Sequence, residues 1–394
     1  MKNTTLAIAI TAAISNTAFA EQSKGITLDN GVTVNPTLNT GIKYDDNIFS
    51  TDTDETGSAI VNVDPALNFT LNDGVNLYSF DIGLKSGTYL SSSDDNFLDA
   101  NVAFNSHLEP SSKHRFDIAL MANTITEARG TGLAEGSADT ISEPLEYADQ
   151  TAALTYEFGA LSTAARIAFD AKYYNKAYRN FTSVTQVNDF DSIKLGSTFF
   201  YNTHAATDLF VEVYRDAIRY QHVAAGDTRR DSDDYRALAG IKWEVTALTS
   251  GNVKLGYQEK DFTEQGRENF TGLSWQAGVQ WQPLTYSSIS FDTSRAARDT
   301  DTVGDYINAT SYSLGWMHSW SHNLSSKVSA SLANDDYSGV TRTDDTTTLS
   351  VSINYELTRW VDVSAFVDVS SKDSTVEDLI FDKNVVGLNF SFSM

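Results

Sequence analysis

Along most of the chain after residue 31, apolar residues recur at every second position, and this pattern limits the possible folds more than anything else. In VDVSAFVDVS (361–370), Val361, Val363, Ala365, Val367 and Val369 share one face, while Asp362, Ser364, Phe366, Asp368 and Ser370 share the other. LSVSINY (349–355) repeats the arrangement, with Leu349, Val351, Ile353 and Tyr355 opposite Ser350, Ser352 and Asn354. Successive side chains of a strand point to opposite faces, so period two marks strands with one apolar and one polar face. No apolar run beyond residue 20 approaches the roughly 18 residues that a membrane helix needs. The chain reads as almost entirely β.

A soluble sandwich would alternate in the same way, so the connectors decide. Short ones, such as NDG (72–74), GALS (159–162), PLTY (283–286) and LTR (357–359), take turns with long polar ones. The long set includes DDNIFSTDTDETG (45–57), GTGLAEGSADTISEPLEYADQ (130–150), VAAGDTRRDSDD (223–234) and SGVTRTDD (338–345). Nine long loops and eight short turns give eighteen strands, within a range of 16 to 18, from residues 32–44 to 383–394. An even count lets the last antiparallel strand meet the first, so that no edge is left unpaired in lipid. Short turns at one end and long loops at the other are the layout of a transmembrane outer-membrane barrel. A weak repeat marks the short-turn end: Tyr156-Glu157-Phe158, Trp243-Glu244-Val245, Trp281-Gln282-Pro283, Trp320-Ser321-His322 and Tyr355-Glu356-Leu357. Rings at that level form an aromatic girdle.

The first twenty residues, MKNTTLAIAITAAISNTAFA, combine one cation at Lys2, an apolar run from Leu6 to Ile14 and an Ala18-Phe19-Ala20 ending. They read as a secretory signal cleaved near Ala20. The expected organisation is therefore signal peptide 1–20, a periplasmic lead 21–31 and a barrel 32–394 in the bacterial outer membrane. With no cysteine, neither disulfides nor a lipidated N-terminal cysteine can anchor the chain. A formal charge of −24 excludes the basic face that nucleic acid demands. Forty-one per cent hydrophobic residues, including 18 Tyr and 21 Phe, argue against disorder.

The final VVGLNFSFSM places Val386, Leu388, Phe390, Phe392 and Met394 on one face, with Gly387 between the first two. It resembles the C-terminal signal of bacterial outer-membrane proteins that the barrel-assembly machinery reads; Met394 stands where that signal usually has Phe or Trp. YDDNIF (44–49) after the first strand, the repeated aromatic turns and the Arg-Gly-bearing TEARGT (126–131) resemble the family called putative beta-barrel porin 2. Members of that family often accompany capsule or exopolysaccharide export loci, so the resemblance implies a polysaccharide and periplasmic export machinery as partners. YDDNIFS would then lie at the outer lip. Asp45 and Asp46 would face water or cations bridging lipopolysaccharide, while Ile48 and Phe49 fold back on the rim.

Sharper chemistry finds little support. DTDETGS (52–58) and DTDTVGD (299–305) begin like calcium loops, but Val63 and Thr310 stand at the twelfth positions, where a bidentate Glu is required. Neither a zinc cluster nor a G-x-S-x-G or H-E-x-x-H motif is present. His107, His114, His204, His318 and His322 fall at the short-turn end, leaving only His222 near an outer rim. No enzyme, metal or cofactor is expected. If apolar positions face lipid, the lumen receives Lys172, Lys194, Arg236, Lys242, Lys254 and Lys260 from the middle strands, and Asp335, Glu356, Asp362 and Asp368 from later ones. Basic and acidic walls would then oppose each other and orient polar solutes. Three functions fit: a passive channel exporting capsular or exopolysaccharide with partner machinery, a general diffusion porin for ions and small sugars, or a plugged structural or adhesive barrel.

Overall fold

The computed structural model describes residues 25–203, 206–246 and 248–394. The signal peptide with its cleavage point near Ala20, and His204, lie outside the described residues. A two-residue strand, β1 (Ile26–Thr27), pairs with Thr33 and Val34, so the expected N-terminal lead turns back as a small hairpin. Eighteen long strands follow. The first six are β2 (Thr33–Asp45), β3 (Ser58–Asn72), β4 (Leu77–Tyr89), β5 (Phe97–Ser111), β6 (His114–Glu127) and β7 (Leu145–Phe158). The middle six are β8 (Ala165–Tyr178), β9 (Phe190–Asn202), β10 (Thr207–Tyr220), β11 (Ser232–Thr246), β12 (Thr249–Phe262) and β13 (Phe270–Leu284). The last six are β14 (Ser287–Arg298), β15 (Ile307–Ser319), β16 (Leu324–Tyr337), β17 (Arg342–Thr358), β18 (Val361–Ser374) and β19 (Phe381–Ser393).

Each strand pairs antiparallel with its sequence neighbours, and β19 pairs with β2 from Val385↔Asp45 to Ser393↔Thr37, which closes the ring. In hydrocarbon an unpaired N–H or C=O costs several kcal/mol, so closure is what allows a sheet to span a membrane. A 13-residue strand such as β2, rising about 3.3 Å per residue and tilted about 45°, climbs about 30 Å, the thickness of a bilayer core. Leu38, Ile42, Val63, Leu67, Leu195, Val213, Leu314 and Leu388 are exposed on the outside, as lipid-facing side chains must be. Between β3 and β4 the ladder has a gap. No β4 partner faces Val63–Pro65, because Pro65 has no N–H to donate. Ser86 covers the gap: its hydroxyl donates to the Val63 carbonyl at 2.8 Å, and its amide donates to the Asp64 carboxylate at 2.9 Å.

The strands run further into the long connectors than composition suggests. Ser232–Asp234 and Arg342–Asp345 are strand, so the loop before β17 shrinks to residues 338–341. At the other end, bulges precede the turns at Leu108/Ser111, Trp243/Thr246, Trp281/Leu284 and Glu356/Thr358. The girdle stands just above them, with Trp281, Trp320, Tyr355 and Trp360 all exposed. His318 belongs to it, its ring 4.3 Å from Trp320, 5.5 Å from Trp316 and 5.4 Å from Tyr286.

The YDDNIFS stretch does not point its acids at solvent. Asp45 is buried and pairs with Lys383 at 3.0 Å. Asp46 accepts the Asn384 amide at 2.7 Å and its side-chain Nδ2 at 2.8 Å. Asn47, fully buried, donates to the Asp382 carbonyl at 2.8 Å. The acidic knot therefore fastens the start of the chain to β19 where the ring closes. The amide and side chain of Asn384 and the Lys383 amine occupy the places expected for water or cations. Gly387, across the same seam, is small because a Cβ there would meet the Phe366 ring at 2.6 Å and Lys43 Cβ at 2.9 Å.

Candidate functional site

The lumen has two distinct parts, a laced mouth at the long-loop end and a charged wall below it. The longest loop, residues 128–144 between β6 and β7, crosses the mouth. Its base is a joint between the two short motifs. Arg129 of TEARGT stacks over the Phe49 ring at 4.4 Å, and its Nε donates to Asp95 at 2.8 Å. Gly130 has φ +79°, and a Cβ on it would fall 1.7 Å from the Phe49 carbonyl oxygen. Only glycine fits that approach. Beyond the joint, Ala134 packs with Leu145 and Tyr178 in a small buried cluster that Leu133, Ile141 and Phe181 border.

At the far side of the loop, Glu135 reaches strands six to eight places away around the ring. Its carboxylate takes Arg342 at 2.7 Å and Lys372 at 3.2 Å. Asp344 completes the quartet, 2.9 Å from Lys372 and hydrogen-bonded to Arg342, with the Ser374 hydroxyl donating to it at 2.7 Å. Two cations and two carboxylates balance, which is what lets them sit largely out of water. Gly136 lies against Leu379 of the loop before β19. Other loops join the lacing. Arg230 donates to the carbonyls of Thr300 at 2.7 Å and Val187 at 2.9 Å, tying three loops together. In one of these, burial raises the Asp189 carboxyl above its ordinary range, against the Tyr178 amide that donates to it at 2.7 Å. Glu135, Arg342, Lys372 and Arg230 were not singled out by the sequence, since each is one more charge in an acidic loop or in phase with its strand.

The register places all ten charged residues named from the sequence on the inner face. Lys172 is partnered with Lys194, Arg236 with Gln258, Lys242 with Asn252, Lys254 with Gly240 and Lys260 with Asp234. Asp335 is opposite Asp344, Glu356 opposite Asp362, and Asp368 opposite Val385. The two walls are less pure than the sequence suggested. Lys254 pairs with Glu212 at 3.0 Å, Arg236 with Asp234 at 3.2 Å, Lys242 with Glu244 at 3.0 Å and buried Lys260 with Asp299 at 2.8 Å. On the other side Asp335 pairs with Arg298 at 2.8 Å, and Arg342 and Lys372 add positive charge near it. Local pairing spends part of the transverse field that unpaired walls would create. Lys172, Lys194, Glu356, Asp362 and Asp368 form no ion pair among the described residues. Gly387, Phe390, Phe392 and Met394 lie on or beside the closing strand, with Phe390 opposite Thr40 and Phe392 opposite Leu38.

A closed antiparallel ring with a lipid-facing exterior, an aromatic girdle and a polar, charged interior defines an outer-membrane β-barrel of porin-like type. The model of the family described as putative beta-barrel porin 2 matches residues 22–393, and the chain belongs to that family. No curated protein matches it by sequence. Among solved structures, Pseudomonas aeruginosa OpdQ is similar at 10% identity and a TM-score of 0.50, covering 93% of this chain and 98% of that one. Pseudomonas aeruginosa OccK2 (OpdF) is similar at 8% identity and 0.50, covering 93% and 98%. The FrpB iron transporter from Neisseria meningitidis (F3-3 variant) gives 11% and 0.48, covering 88% of this chain, which spans 63% of that protein's length. At such identities the likeness is one of fold.

Proposed function

We propose that this barrel is a passive outer-membrane channel for a secreted polysaccharide, driven by periplasmic and inner-membrane partners. The observation that carries the reading is a closed ring whose inner face is polar and charged from mouth to girdle, a route for hydrated solutes through lipid. The link of such family members to exopolysaccharide loci supports the choice of solute. The test is a strain deleted for the gene: loss of surface polysaccharide with polymer retained in the periplasm supports export, and unchanged surface polymer overturns it.

A second reading, a diffusion porin for small sugars and ions, is favoured by one feature. The loop 128–144 narrows the mouth, which suits small solutes unless the loop swings aside. Liposome swelling with mono- and disaccharides separates the two: uptake by the wild-type barrel favours diffusion, and uptake only after the loop is shortened favours a polymer route. Membership of a porin family supports transport over catalysis.

A further inference from the structure

One lumenal wall carries a feature that neither the ring nor the mouth requires. The inward positions of β8 to β11 interleave aromatic rings with cations. Near the mouth the Tyr174 and Phe190 rings are 5.6 Å apart, and Phe190 and Tyr220 are 5.4 Å apart. At mid-height Lys172 Nζ lies 5.5 Å from the centre of Tyr174, and Lys194 Nζ lies 3.5 Å from that of Tyr214. The Arg236 guanidinium covers Tyr214 at 5.4 Å. Aromatic rings on the inner face of an outer-membrane barrel are not needed to hold it in lipid, since the girdle does that from outside.

Lys172 and Lys194 face each other directly across adjacent strands, with Cβ atoms about 5 Å apart. Like charges so placed repel; Asp216 acts on both at longer range, but no carboxylate comes within ion-pair distance of either amine among the described residues. Glu212 is taken by Lys254 at 3.0 Å, Asp234 by Arg236 at 3.2 Å, and Asp170 accepts the Thr155 hydroxyl at 2.6 Å. Asp216 is opposite Lys194 in register, yet the amine lies over Tyr214 instead. Two ammonium groups held above ring faces, with no carboxylate in ion-pair contact and one negative charge, Asp216, to share between them, keep net positive charge for an anion. The rings beside them offer flat apolar surface to the C–H face of a sugar. Across the lumen, Glu356, Asp362 and Asp368 would push an anionic chain towards this wall.

We infer that the Lys172–Lys194 pair, with Tyr174 and Tyr214, is a binding site for the carboxylate-bearing sugar units of an acidic polysaccharide. The inference rests on the lumen being a sugar route and adds the chemical class. It also removes a difficulty, because an acidic chain passing an acidic protein needs one wall that attracts it.

Binding can be measured on the detergent-purified protein whether or not it conducts. The probes are hexagalacturonate and, as the neutral control, maltohexaose, followed by calorimetry. The expected result is binding of hexagalacturonate at least tenfold tighter than maltohexaose, weakening steeply with salt. Lys172→Gln with Lys194→Gln removes that preference, Lys172→Arg with Lys194→Arg retains it, and Tyr174→Leu with Tyr214→Leu weakens both sugars. Equal binding of the two sugars, no binding of either, or a preference that survives the double Gln variant overturns the assignment. Unchanged surface polymer in the deletion strain, with hexagalacturonate still preferred, would overturn the export reading alone.

Discussion

The two ends of the barrel are held by different physics. At the short-turn end, strands joined by two to six residues need only bulges and a belt of rings; contacts there, such as those between Trp320 and Ser326 or His114 and Tyr156, join a strand to its neighbour in the ring, and among the described residues only the β19–β2 seam brings together distant residues, as Ser391 and Asn39. At the mouth, the decisive contacts join residues far apart: Glu135 to Arg342, Glu135 to Lys372, Arg230 to Thr300. One end is fixed by the hairpins themselves. The other is a tertiary structure built on top of a closed ring, so its opening is expected to leave the ring folded.

That contrast can be broken most forcefully at the joint. Gly130→Val places side-chain atoms where the Phe49 carbonyl already is. Undocking the loop should cost about 3 kcal/mol, raising the rate of proteolysis within residues 131–142 about a hundredfold. Unchanged cleavage would mean that the joint does not hold the loop. Glu135→Gln keeps the shape but removes the charge that Arg342 and Lys372 share. A loss of about 2 kcal/mol, and cleavage faster by some tens of times, is expected because the tether lies largely out of water and its loss leaves two cations sharing one carboxylate.

The ring should respond to different residues. Replacing Asp46 and Asn47 together by Ala removes the side-chain bonds that pin β2 to β19. It should lower thermal stability by about 2 kcal/mol, read as a shifted unfolding transition, with little change in loop proteolysis. The smallest effect belongs to the girdle: Trp281→Ala, on the lipid face, should cost about 1 kcal/mol in urea titrations in lipid vesicles and leave the mouth intact. If Trp281→Ala exposed the mouth loop as much as Gly130→Val, the two ends would not be independent.

The same contrast explains what could be read in advance. Period two fixes which side chains share a face, so the phase of Val361 to Ser370, carried through neighbouring strands, groups Lys172, Asp368 and the other charges on the face opposite the exposed apolar side chains. The eighteen strands follow from the same phase and the turns. What phase cannot show is a partner. Glu135 and Arg342 are 207 positions apart (342 − 135) and carry no local mark of each other. The YDDNIFS acids looked solvent-facing because Asp clusters usually are, and the one β19 residue that claims Asp46, Asn384, comes from the opposite end of the chain. The joint was half visible: YDDNIF and TEARGT stood out as motifs, but only the fold brings Phe49 under Arg129.

The central claim is that a passage runs through the ring and that the loop 128–144 restrains it at the mouth. Single-channel conductance in planar bilayers tests this directly, comparing the wild-type protein with one in which residues 131–142 are replaced by a short Gly-Ser linker. The account predicts a small or intermittent current for the wild type and a steady current several-fold larger for the shortened loop. Equal conductance of the two, or no current from either, would contradict it.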